Sequence, residues 1–149
     1  MKIAYPISAV LFRKTSSLWT VSPDSSVFDA IKLMSDKNIG ALMVMTPDKR
    51  LVGMFTERDY SRKIALQGKT SKETLVSEIM VSNVITVTGE DTVEDCMRLM
   101  TDKRVRHLPV VKGAEVVGIV SIGDLVNWII SAQSSTIHQL QTYISGYPT

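Results

Sequence analysis

Gly53-Met54-Phe55-Thr56-Glu57-Arg58-Asp59 and Gly118-Ile119-Val120-Ser121-Ile122-Gly123-Asp124 are one pattern, Gly-x-x-[Thr/Ser]-x-x-Asp, written twice in the same chain. Each copy closes an apolar β-type run, Leu51 to Phe55 and Val116 to Val120. Each then places a hydroxyl residue where a helix should begin. Such a hydroxyl is a cap, because its oxygen accepts from the orphaned N–H groups of the first turn. The aspartate falls within that turn, where the helix dipole favours a negative charge. One such stretch is ordinary helix chemistry, but its repetition makes it a site hypothesis.

The repetition extends outward on both sides. Leu18-Trp19-Thr20-Val21 aligns with Val84-Ile85-Thr86-Val87 at an offset of 66 residues, and both are short β-rich runs. Val27, Ala30, Ile31 and Met34 align with Val93, Cys96, Met97 and Met100. In each set the apolar residues recur at i, i+3, i+4 and i+7, one face of an amphipathic helix. Asp24-Ser25 and Glu90-Asp91 supply the polar or acidic groups of a helix start. The helices should end near Asn38 and Arg104, followed by strands Ala41 to Met45 and Leu108 to Val111. Pro47-Asp48 and Lys112-Gly113 read as turns, after which the offset falls to 65. A helix should close each repeat, Tyr60 to Gln67 and Leu125 to Ala132. Upstream, Ile7 to Leu11 echoes Val76 to Met80, a short helix leading each repeat.

These elements predict an α/β protein of two β-α-β-β-α repeats over residues 7–68 and 75–132. A polar linker spans 69–74, and a helical tail spans 133–149, with Ile137, Leu140 and Ile144 at helical spacing. Either repeat alone would leave an apolar helix face uncovered. Pairing them about a pseudo-two-fold would bury both faces and bring the two aspartate motifs into one central cleft.

Composition restricts the function classes. The chain of 149 residues is 44% hydrophobic and 21% charged, the profile of an ordinary globular protein. Seventeen basic against fifteen acidic residues leave a net charge of +2, with no long basic run. Nucleic acid is therefore not an expected partner. No apolar stretch approaches the roughly 18 residues that span a bilayer, so no membrane partner is expected either. Met1 to Arg13 lacks the apolar core and cleavage site of a signal peptide, and Arg13-Lys14 with its serines is too short to read as a transit peptide. A cytoplasmic protein is the expectation, and the single Cys96 suits a reducing compartment.

The doubled unit resembles a tandem pair of CBS (cystathionine-β-synthase) domains. The resemblance covers residues 7–132 and rests on both Gly-x-x-[Thr/Ser]-x-x-Asp motifs, on Val105-Arg106-His107-Leu108-Pro109-Val110-Val111, and on Ser77-Glu78-Ile79-Met80. Thr56-Glu57-Arg58-Asp59-Tyr60 and the tail Gln139 to Gly146 are similar to stand-alone CBS-pair proteins of bacteria and plant organelles. The resemblance implies a Bateman-type module that binds an adenosine compound: AMP, ADP, ATP, NAD(H) or S-adenosylmethionine. It implies a homodimer that regulates a partner protein and is not itself an enzyme.

On this reading the nucleotide-binding set is Thr20, Val21, Gly40, Ala41, Thr56, Arg58, Asp59, Thr86, Val87, Arg106, His107, Pro109, Ser121 and Asp124. Asp59 and Asp124 would take the ribose diol, since one carboxylate can accept two O–H groups in charge-assisted bonds. Thr56 and Ser121 would cap the helix and reach the ribose or phosphate. Thr20-Val21 and Thr86-Val87 either line an apolar slot for the base or are plain core. The resemblance adds Gly40-Ala41 and Arg106-His107 to that slot, and sets Arg106 and His107 toward the phosphates. Arg58 points the same way, while Arg62, Lys63 and Arg104 are weaker phosphate candidates that read more readily as a solvated face. Met80 is expected near the base.

Three other readings compete. Enzymatic catalysis would need a nucleophile or a metal. Cys96 lies on the buried stripe, and His107 and His138 lack ligand spacing. Any Mg²⁺ would ride on the nucleotide's phosphates. A ligand-free interaction scaffold is the main alternative, against which both aspartates and their neighbouring cations stand. A nucleic-acid binder would require a basic face.

Overall fold

The computed structural model describes residues 5–14 and 18–145, and the side chains of those up to 133. The two amphipathic stretches form helices of matching length, α2 (Val27–Lys37) and α5 (Val93–Lys103). Sequence chemistry sets both ends of each. At the start, the Ser26 hydroxyl accepts the Asp29 N–H at 3.1 Å, and Thr92 accepts that of Asp95 at 3.1 Å. At the end, Asn38 (φ 54°) and Arg104 (φ 55°) turn left-handed and stop the helix. Val27, Ala30 and Met34 of α2 are buried, as are Val93, Cys96 and Met100 of α5.

Each repeat carries a three-stranded sheet. The first has the order β1 (Thr20–Val21), β2 (Ala41–Met45), β3 (Leu51–Thr56), with β1 parallel and β3 antiparallel to β2. The second has the order β4 (Val87–Thr88), β5 (His107–Lys112), β6 (Glu115–Ser121). The first strand of each sheet is two residues long, shorter than the apolar runs suggest. In β2 and β3, the cross-strand pairs Leu42–Phe55 and Met43–Met54 lie on opposite faces, and all four residues are buried. Leu42, Val44 and Phe55 join Val21, Val27, Ala30, Met34, Ile64, Val76 and Ile79 in one apolar core.

The chain forms two compact units. One gathers α1 (Ile7–Arg13) with β4 and α5; the other runs from β1 through α4 (Val76–Ile79). The short leading helices are therefore exchanged between repeats. In the second repeat's unit, Ile7 N–H donates to Asp91 O at 2.8 Å, Ser8 N–H to Gly89 O at 3.0 Å, and Val93 N–H to Tyr5 O at 2.8 Å. In the first repeat's unit, Val76 N–H donates to Ser25 O at 2.8 Å, Ser77 N–H to Pro23 O at 3.0 Å, and Val27 N–H to Thr74 O at 2.8 Å. The two sets match position for position. Thr74, in the linker stretch, is thus buried at 6% exposure and anchored, with its hydroxyl donating to Thr70 O at 2.7 Å.

Both motif helices depart from expectation. The first begins at its Thr56 cap as α3 (Glu57–Tyr60) and widens into a π-helical turn, Ser61–Ala65, in place of one α-helix over Tyr60 to Gln67. The second is α6 (Ile122–Ser145), which runs through the expected end at Ala132 and takes in the expected tail as far as Ser145; the rest of that tail, 146–149, lies outside the described residues. Between Ala132 and Ser145 there is neither glycine nor proline, and serine and threonine weaken a helix without breaking it. Among the described residues, no helix is long and apolar enough to cross a membrane.

Candidate functional site

In the first repeat, Thr56 and Asp59 close a reciprocal capping box at the start of α3. Thr56 Oγ1 accepts the Asp59 N–H at 3.2 Å, while Asp59 Oδ2 accepts the Thr56 N–H at 3.0 Å and the Thr56 hydroxyl at 3.1 Å. Asp59 is 7% exposed, and an ionised carboxylate so buried requires compensation. Lys63 provides it, with Nζ 3.6 Å from Asp59 Oδ1 and donating to Ile79 O at 2.8 Å. The first N–H of the helix, that of Glu57, donates to Gly40 O at 3.1 Å, which brings Gly40 to the same helix end.

The second repeat repeats this construction. Ser121 Oγ accepts the Asp124 N–H at 3.1 Å, and Asp124 Oδ2 accepts the Ser121 N–H at 2.8 Å. Ile122 N–H donates to Arg106 O at 2.9 Å, which sets Arg106 where Gly40 stands in the first repeat. The compensating lysine comes from elsewhere in the chain. Lys14, just beyond α1, donates to Asp124 Oδ2 and to Ile119 O, each at 2.8 Å. The residue four positions after Asp124, matching Lys63, is Trp128. Burial pushes the Asp124 carboxyl up, but the bond from Lys14, the Ser121 N–H and the Lys14 charge outweigh it and hold the group below its ordinary value.

Beside Asp124 lies a pocket of about 200 Å³ lined by Val10, Arg13, Lys14, Asp124, Asn127, Trp128 and Ser131. The Arg13 guanidinium lies 5.0 Å from the centre of the Trp128 ring, and Tyr5 meets that ring edge-on at 5.6 Å. Trp128 Nε1 is buried without an acceptor among the described residues.

The remaining expected residues divide by burial. Val21, Ala41, Val87 and Pro109 are buried, Gly40, His107 and Ser121 are half-buried, and Thr20, Thr86, Arg58 and Arg106 are exposed. Val21 packs into the apolar core of the first repeat. Met80 lies against Gly53, the first residue of the first motif. Cys96 is fully buried. Its thiol is pushed up to about 11 by burial and by the charges of Asp91 and Asp95.

Three residues escape the sequence reading. Lys63 keeps 38% of its side chain exposed but is also the partner of Asp59, and its i+4 spacing is the signal that could have found it. Lys14 lies 110 residues from Asp124, and nothing local announces the pairing. Trp128 reads as one more apolar position of a helix.

The CBS domain family matches the chain twice, at residues 10–66 and 76–131. The chain belongs to that family. It is 45% identical over 135 residues to the mitochondrial CBS domain-containing protein CBSX3 of Arabidopsis thaliana, covering 88% of this chain and 65% of CBSX3. The chain thus spans slightly under two thirds of that relative's length. Among solved structures, a protein with CBS domains from Burkholderia ambifaria superposes with a TM-score of 0.83 at 44% identity, covering 86% of this chain and 96% of that one. The CBS domain pair of protein MJ0100 was solved in complex with 5'-methylthioadenosine and S-adenosyl-L-methionine. It matches with a TM-score of 0.76 at 25% identity, over 87% of this chain and 98% of its own.

Proposed function

We propose that the chain is a non-catalytic regulatory module that binds an adenosine-containing ligand and passes energy or redox state to a partner protein. The observation that carries this reading is the doubled Thr/Ser–Asp capping box, which fixes a carboxylate and a neighbouring cation at one helix start in each repeat. A preorganised carboxylate suits a ribose diol, and cations beside it suit phosphates. The adenosine compounds bound by MJ0100 support that ligand class. AMP, ADP, ATP and NAD(H) are the candidates, with Mg²⁺ carried only on their phosphates. Arg58, Arg106 and His107 would meet the phosphates, and Thr20, Val21, Gly40, Ala41, Thr86, Val87 and Pro109 the nucleoside.

We further propose a homodimer acting on a protein yet to be named, in the cytoplasm. Phe12 of α1 is 91% exposed and Ile130 of α6 is 55% exposed, apolar surface that a second copy would cover. The cytoplasmic assignment rests on the single Cys96 alone.

Calorimetric titration of AMP, ATP, NADH and S-adenosylmethionine into the wild type, Asp59→Asn and Asp124→Asn tests the reading. Saturable binding weakened in at least one variant supports it. No heat from any of the four with folded protein overturns it. One observation favours a ligand-free scaffold instead: both carboxylates already hold a lysine of their own chain.

A further inference from the structure

The two lysines hold their aspartates differently. Lys63 sits inside a helical turn, and its aspartate side chain is 9% exposed. Lys14 lies just past the end of α1, in extended backbone (φ −82°, ψ 120°), and it and Asp124 each keep 25% of their side chains exposed. Both line the same pocket, with Arg13 on its wall. The pair has no net charge, so Arg13 leaves the pocket with one excess positive charge among its lining residues.

We propose that Lys14 is a displaceable occupant of the Asp124 carboxylate, and that its transfer to a ligand phosphate makes this half-site select phosphorylated adenosine compounds over neutral ones. This inference rests on the adenosine-binding reading above.

Asp124 Oδ2 already takes the Ser121 N–H and the Lys14 ammonium, both at 2.8 Å. A ribose diol that engages the carboxylate has to share or replace the lysine. A neutral nucleoside that does so leaves the ammonium with the Ile119 carbonyl and water, and the lost charge-assisted bond opposes binding. A phosphorylated ligand brings the replacement partner with it. Arg13, oriented by the Trp128 ring, adds a second cation on the same wall. The paired state thus holds the carboxylate ready when no ligand is bound and disfavours nucleosides that lack a phosphate.

The test is a titration of AMP and of adenosine into wild type, Lys14→Met and Asp124→Asn, with thermal unfolding to confirm that each variant folds. Lys14→Gln replaces Lys14→Met if the latter does not fold. In Lys14→Met, AMP should bind about tenfold more weakly, the loss of one charge-assisted bond, while adenosine binds as well as before or better. An AMP-to-adenosine preference equal to that of the wild type in a folded Lys14 variant overturns the proposal. AMP binding that survives Asp124→Asn unchanged also overturns it, while leaving the adenosine reading intact. Wild-type protein that binds neither compound overturns this proposal, and the adenosine reading falls with it only if ATP, NADH and S-adenosylmethionine also fail to bind.

Discussion

A Cβ on Gly53 would stand 2.5 Å from Met80 Sδ and 3.1 Å from the Val81 carbonyl oxygen. The chain leaving α4 lies directly against β3 here, since Met54 and Val81 exchange both backbone hydrogen bonds at 2.9 Å. Glycine at the head of the first motif is thus a matter of close approach. Its role is to let the exchanged helix α4 be pinned to the strand that leads into Thr56 and Asp59.

Gly53→Ala should therefore lower stability by about 1–3 kcal/mol, because Met80 and the Val81 backbone must both shift. Gly40→Ala is the control, meeting nothing nearer than the Glu57 side chain at 3.8 Å, and should stay within about 0.5 kcal/mol of wild type. Urea unfolding of the two variants compares them directly; equal effects would contradict the close-approach argument.

The main helices of the two repeats begin with equivalent caps, Ser26 and Thr92. Ser26→Ala and Thr92→Ala should each cost about 1 kcal/mol in the same unfolding assay, since each leaves one first-turn N–H without its side-chain acceptor.

Asp124 predicts a pH dependence. Its folded-state carboxyl lies below the ordinary value, so the unfolded chain takes up its proton first as the pH falls. The stability contributed by this group is complete above the unfolded aspartate value of about 3.9 and is lost as pH drops through the lower folded value. The Lys14→Met variant lacks the main cause of the lowering. The difference in melting temperature between it and wild type should narrow as the pH is taken from 6 down through this window. A gap that widens on acidification would contradict the assignment.

Cys96 should be chemically silent. With its thiol raised to about 11 and its side chain fully buried, alkylation at pH 8 should run on the order of a hundredfold slower in the native protein than in denaturant. Fast native alkylation would show that α5 opens more readily than its packing implies.

The repeat architecture was legible because it rests on local signals. The apolar stripes of α2 and α5, their caps, and the paired Thr56–Asp59 and Ser121–Asp124 boxes each lie within a few residues of sequence. What was not legible depends on contacts between distant residues. Exchange of α1 and α4 between the units rests on backbone bonds such as Ile7 to Asp91, to which side-chain identity gives no clue. Lys14 reaches Asp124 only because α1 is docked on the second repeat's helix. The continuous α6 was missed for another reason: polar residues after Ala132 look like a boundary, yet none of them breaks a helix.

Asp59 and Asp124, each at the motif helix of its own repeat, are proposed to hold adenosine ligands. Equilibrium binding of AMP to wild type and to the folded double variant Asp59→Asn/Asp124→Asn tests this most directly. The account predicts saturable binding in the wild type and none in the double variant. Equal affinity in the two proteins would contradict it.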